Sequence, residues 1–123
     1  MSIRIVTVDD QAPFLEAARA IVARMPGFEL VGESTDGNEA LRLVKEADPD
    51  VVILDVRMPG VDGIEVASRL TADDATRLVV LVTSADLREL AELARSCGAA
   101  ALVRKQWLTP QFTRGLWIAH RRR

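Results

Sequence analysis

Five polar residues each follow directly on a short apolar run. Asp9 and Asp10 come after "IRIVTV", Asp55 after "VVIL", Thr83 after "VVLV", and Lys105, with Arg104, after "AAALV". Three carboxylates brought close together repel one another, and their pKa values rise unless a cation joins them. Hard oxygen ligands with open positions suit Mg²⁺, which keeps several waters and needs only one or two carboxylates. A cation, an ammonium and a hydroxyl are what a phosphoryl group in transfer requires around its equatorial oxygens. A carboxylate at the centre can then be the nucleophile and become an acyl phosphate. Carboxylate attack on phosphorus needs no base, and the single histidine, His120, lies far along the chain.

Each residue has a plainer reading when taken singly. Asp9 or Asp10 could cap a helix ahead of Pro13. Asp55 could belong to a turn, although Met58-Pro59-Gly60 already supplies one. Thr83 and Lys105 could be ordinary strand ends. The five together, all at strand ends, are what points to chemistry.

The elements that must position them alternate regularly. Strands are predicted over 3–8, 28–34, 51–54, 77–82 and 99–103, from short apolar and β-branched runs. Between them lie stretches of helical period. "APFLEAARAIVARMPG" places Phe14, Ala18, Ile21 and Met25 on one face, with Pro13 in the first turn and Pro26-Gly27 as the stop. Asp36 stands three residues before Glu39, and Asp86 three before Glu89; both read as capped starts. Their inner faces are Ala40, Leu41, Val44 and Ala47, then Leu87, Leu90, Ala94 and Cys97, with Gly98 as terminator. Ile64, Ala67 and Leu70 face inward from the helix in "VDGIEVASRL", and Thr109-Pro110 opens the last helix. The pattern is (βα)₅. It predicts an α/β doubly wound fold with a five-stranded parallel sheet. In such a sheet the carboxyl ends of the strands share one rim, where ligands bind.

With 123 residues, 49% hydrophobic and 28% charged, the chain suits one folded domain and leaves no room for a second of normal size. A net charge of −2 gives no overall attraction to nucleic acid or membrane. Cys97 is the single cysteine, so no internal disulfide can form. The N-terminus has neither a signal-peptide pattern nor a spanning run, and a cytoplasmic location without a membrane partner is predicted. The terminal "HRRR" is the one charge run, favourable at a helix C-terminus.

The motifs "VTVDDQ", "ILDVRMPGVDGIE", "VLVTSAD" and "SCGAAALVRK", in that order, resemble the receiver domain of two-component response regulators over essentially the whole chain. The resemblance implies the flavodoxin-like strand order 2-1-3-4-5, of which the chemotaxis member of the family is a standard example. It implies Asp55 as phosphoacceptor and Mg²⁺ as cofactor. Asp10 would bind the ion directly and Asp9 through water, with the Arg57 backbone carbonyl as a further ligand. Thr83 would hydrogen-bond the phosphoryl group, helped by the backbone N–H groups of Arg57 and Ser84, and Lys105 would pair with it. Pro59 and Gly63 would shape the loop after Asp55. Phosphorylation adds roughly −1.5 to −2 charge, and Thr83 moving toward it would bias the surface of the fourth helix, fifth strand and fifth helix.

The implied activity is that of a phosphorylation-driven switch fed by a sensor histidine kinase; the implied protein catalyses only its own phosphorylation and dephosphorylation. The texture of "FELVGESTDGNEAL" is similar to receivers that precede a helix-turn-helix DNA-binding domain. The chain therefore reads as a single receiver domain, 1–123, either excised from such a regulator or standing alone and acting by protein contact; a homodimer is open, and DNA would be reached only through an output domain. Two positions depart from the family pattern. Leu102 stands where members often carry Tyr or Phe, and Gln106-Trp107 follow the lysine where many have Pro. A Mg²⁺-dependent phosphatase with an aspartate nucleophile is the competing enzyme reading, but Arg57 replaces the second acid such enzymes carry two residues on. A flavodoxin-like nucleotide module would want a Gly- or Ser/Thr-rich loop where "DDQAPF" stands. A pseudo-receiver acting by binding alone is the remaining alternative.

Overall fold

A computed structural model of the chain describes residues 1–121; Arg122 and Arg123 of the terminal basic run lie outside the described residues. Five strands and five helices alternate: β1 (Ile3–Val8), α1 (Ala12–Ala23), β2 (Phe28–Ser34), α2 (Gly37–Ala47), β3 (Val51–Asp55), α3 (Gly63–Asp73), β4 (Leu78–Thr83), α4 (Leu87–Arg95), β5 (Ala101–Arg104) and α5 (Pro110–Arg121). All strand pairs are parallel, in the order β2-β1-β3-β4-β5. The fold is flavodoxin-like, as the alternation predicts.

The central strands are apolar because both of their faces are covered. Every residue of β3 and β4 is buried. Ile5, Ile53, Val80 and Val82 pack with Phe14, Ala18 and Val22 of α1 and with Leu116 and Trp117 of α5. Val6, Val8, Leu54 and Leu81 pack on the other face, against Ala40 and Val44 of α2, Val66 and Leu70 of α3 and Leu90 of α4. The period-2 alternation of strand side chains divides the core into these two layers.

Helix boundaries differ from expectation in instructive ways. α1 ends at Ala23, before Pro26, and its core residues are Phe14, Leu15, Ala18 and Val22, with Ile21 only half-buried. Met25 is buried just beyond the helix. The Asp36 carboxylate accepts from Glu39 N–H at 2.8 Å as predicted, whereas Asp86 accepts from Arg88 N–H, one residue short of the expected partner. α3 is longer than "VDGIEVASRL" suggested; its cap is Asp62, accepting from Glu65 N–H at 3.0 Å, and Val66 outranks Ile64 in the core. β4 and β5 start one and two residues later than predicted, because Arg77 turns away to hold a loop and Ala99-Ala100 finish the preceding turn. A single 3₁₀ turn, Lys105–Trp107, joins β5 to α5. Among the described residues no helix is long and apolar enough to cross a membrane.

Candidate functional site

The carboxyl ends of β1, β3, β4 and β5 bring the predicted residues to one rim. The register puts Asp55 beside Val82 and Thr83 beside Arg104, so β3, β4 and β5 end level with one another. Carboxylate oxygens of Asp9, Asp10 and Asp55 all lie within 4.8 Å of one another. Asp10, Asp55, Arg57, Thr83 and Lys105 line a cavity of about 300 Å³, closed by Gln11 and by Ser84-Ala85 at the start of the β4-α4 loop. A larger cavity, about 510 Å³, opens at the far end of the sheet among Asp50, Thr76, Trp117 and His120; it gathers one carboxylate and no cluster of acids.

Each rim residue is held by its local chain. Asp9 is fully buried, and its Oδ1 accepts from Gln11 N–H at 2.8 Å, which turns the chain into α1. Its Oδ2 faces the Lys105 ammonium at 2.5 Å, but the contact is not aligned as a hydrogen bond. Asp10 is exposed at the cavity mouth. Thr83 Oγ1 accepts from Ala85 N–H at 3.0 Å, which leaves the hydroxyl proton free to donate. Lys105 Nζ lies 3.8 Å from Asp55 Oδ1 and 4.9 Å above the centre of the Phe14 ring.

The loop after Asp55 folds back on itself through two glycines. Gly60 has φ +77°, where other residues are strained. Gly63 N–H donates to the Val56 carbonyl at 2.8 Å, and this packs Gly63 directly onto the Asp55 backbone. The loop also rests on the start of α2, where Gly37 N–H donates to the Pro59 carbonyl.

Electrostatics set Asp55 apart. Burial pushes its carboxyl pKa up to about 6, the Asp9 charge adds to the rise and Asp10 adds less; Lys105 and the Arg57 backbone N–H oppose it. Ionised Asp55 is therefore short of positive charge. The donor set fits a small hard cation such as Mg²⁺: three carboxylates with oxygens within 4.8 Å of one another, one of them buried with an oxygen that lacks an aligned hydrogen bond.

The structure thus brings together Asp9, Asp10, Asp55, Arg57, Thr83 and Lys105. His120 is remote; its Nε2–H donates to the Thr76 carbonyl at 2.8 Å. Leu102 sits beside Leu81 and packs on the α3-α4 side of the sheet, two pairs before Thr83 and Arg104. Trp117 is half-buried against the α1-α5 layer, while Trp107 is 58% exposed. The contact that sequence spacing does not reveal is Phe14, which is separated from Lys105 by most of the chain.

Comparison with known proteins agrees with this geometry. A family model described as "Response regulator receiver domain" matches residues 5–114. Over 104 residues, 84% of this chain and 30% of the relative, the sequence is 42% identical to protein-glutamate methylesterase/protein-glutamine glutaminase 5 of Myxococcus xanthus. It is 40% identical over 102 residues to the transcriptional regulatory protein PdtaR of Mycobacterium tuberculosis, covering 83% of this chain and 49% of that one. The chain thus spans no more than about half the length of these curated relatives. The signal receiver domain of NarL from Mycobacterium tuberculosis superimposes with a TM-score of 0.88 at 30% identity, covering 99% of this chain and 98% of that one.

Proposed function

This chain belongs to the response regulator receiver family, and on that premise we propose that Asp55 is its phosphoacceptor. It is a receiver domain of two-component response regulators, and receivers are regulatory phosphoacceptors. The observation that carries the residue assignment is the buried Asp55 carboxylate, at the sheet rim with Asp9, Asp10 and Lys105 converging on it.

An Asp55 carboxylate oxygen forms the new O–P bond as the donor's bond to phosphorus breaks and the leaving group departs with that electron pair. Asp9, Asp10, Asp55 and the Arg57 backbone carbonyl would hold Mg²⁺, whose positive charge offsets the carboxylates and the phosphoryl oxygens. Thr83 supplies a hydroxyl proton to one phosphoryl oxygen, helped by the Arg57 and Ser84 backbone N–H groups. Lys105 pairs with another. Asp9, Asp55 and Lys105 already converge at the rim, so little of the site's charge has to be reorganised as the phosphoryl charge develops. The product carries roughly −1.5 to −2 charge where a single carboxylate stood. Drawing Thr83 toward it shifts Ala85, which is tied to its oxygen, and through Ala85 the start of α4. The α4-β5-α5 surface is the output face. With Leu102 in β5, the response there is a repacking of an aliphatic side chain rather than the turning of an aromatic ring.

The donor is a sensor histidine kinase, and the switch works in the cytoplasm. Residues 1–123 form one receiver unit, which acts on transcription when joined to a DNA-binding domain, or by contact with another protein or a second copy when not. Fluorine NMR with beryllofluoride and Mg²⁺ tests the site. A bound fluoride signal that requires Mg²⁺ and is absent in Asp55→Asn supports the reading; a wild-type spectrum showing only free fluoroberyllates overturns it.

A further inference from the structure

We propose that Phe14 is the positioning residue for the Lys105 ammonium, holding it in the site through the face of its ring. The proposal rests on the assignment of Lys105 to the phosphoryl group. A lysine reaches that group on a flexible four-carbon stem, and the ammonium must be held for its charge to be useful. Three neighbours surround Nζ: Asp9 Oδ2 at 2.5 Å, Asp55 Oδ1 at 3.8 Å and the Phe14 ring centre at 4.9 Å. The two carboxylates are the groups that a cation and a phosphoryl group engage. Phe14 is the neighbour that neither consumes.

The ring is suited to this. It is 8% exposed and packed in the α1-α5 layer of the core, so its position is fixed and water is kept from that side of the ammonium. An ammonium over an aromatic face is attracted by the ring quadrupole, more strongly as water is removed. The attraction leaves the lysine's charge whole, whereas a third carboxylate would neutralise it and crowd the acids further. One turn of chain sets both sides of the cradle. Gln11 N–H donates to Asp9 Oδ1 and Phe14 N–H donates to the Gln11 carbonyl, at 2.8 and 3.1 Å. The β1-α1 loop therefore presents an anion and a π face to the same ammonium.

The test uses the fact that the chain has only two lysines, Lys105 and the exposed Lys45. In lysine-labelled, metal-free protein the Lys105 ε-methylene protons should lie upfield of those of Lys45 through the ring current, and Phe14→Leu should remove the difference. With Mg²⁺ and acetyl phosphate, Phe14→Leu should slow formation of the Asp55 adduct by about 3- to 30-fold. Installing 3,4,5-trifluorophenylalanine at position 14 keeps ring shape and apolarity but drains the π face; it should slow the reaction nearly as much. A packing role alone predicts a fluorinated variant that reacts at the wild-type rate. That result, or Lys105 protons coincident with those of Lys45 in the unaltered protein, overturns the proposal. An upfield Lys105 signal with no Asp55 adduct at all would instead place the failure in the phosphoacceptor reading, and the positioning role would fall with it.

Discussion

The carbonyl oxygen of Asp55 stands 2.0 Å from the point where a side chain on Gly63 would begin. Nothing larger than hydrogen fits between them, so the loop that leaves the rim can return to it only through glycine. Gly63→Ala should therefore destabilise the protein by about 3 kcal/mol, as an overpacked and unyielding backbone contact does. It should also displace Asp55. Urea unfolding and beryllofluoride binding, measured on the same variant, should both suffer; a variant with unchanged midpoint would contradict the contact.

The raised pKa of Asp55 makes a prediction about pH. Its folded value is about 6 against an ordinary 3.8, so the folded state favours the protonated form. That preference is complete below the ordinary pKa and is lost as pH rises through about 6. In metal-free protein at pH 7.5, Asp55→Asn removes a buried charge that Lys105 only partly compensates and should stabilise the fold by on the order of 1–3 kcal/mol. At pH 4 the two proteins should differ little. Equal differences at both pH values would show that the carboxylate is not strained in the fold.

Arg77 should matter to stability without touching the chemistry. Its side chain is 4% exposed, donates to the Pro49 carbonyl at 2.9 Å and pairs with Asp48 at 2.8 Å, at the opposite end of the sheet from the acids. Asp48 is 82% exposed, so the ion pair itself adds little. The buried carbonyl left without its donor should make Arg77→Met less stable by about 2 kcal/mol. Its phosphorylation rate at 25 °C should match the wild type, and a changed rate would mean that the far end of the sheet is coupled to the rim.

Gly115 lies in the interior of α5, and a Cβ built there meets nothing within 4 Å. Gly115→Ala should raise stability by about 0.5–1 kcal/mol through helix propensity alone. Thermal unfolding of the isolated chain measures it; a loss of stability would indicate a neighbour that the monomer does not contain.

The rim was legible because four of the five strands, β1, β3, β4 and β5, lead straight into the residues assigned to the chemistry, and strand ends are where apolar runs stop. Strand order followed from the alternation together with the family resemblance. What spacing could not give was pairing across the chain. It did not reveal that Lys105 rests on Asp9 rather than on Asp55, or that Phe14 lies beneath it, because both depend on how α1 settles on the sheet. Helix faces were read less well than strands: Val22 rather than Ile21 is the core residue of α1, one position away on the same turn. The cap at Asp62 had a signal, since Asp62 and Glu65 repeat the spacing of Asp36 and Glu39. Arg77 looked like the first residue of a strand because an arginine's stem is apolar enough to continue one.

The central claim is that Asp55 accepts the phosphoryl group, and intact-mass analysis after incubation with acetyl phosphate and Mg²⁺ tests it most directly. The account predicts an added mass of about 80 Da that is removed by hydroxylamine, abolished by chelating the metal and missing in Asp55→Asn. An adduct that persists in Asp55→Asn, or no adduct on the wild-type chain with Mg²⁺ bound, would contradict it.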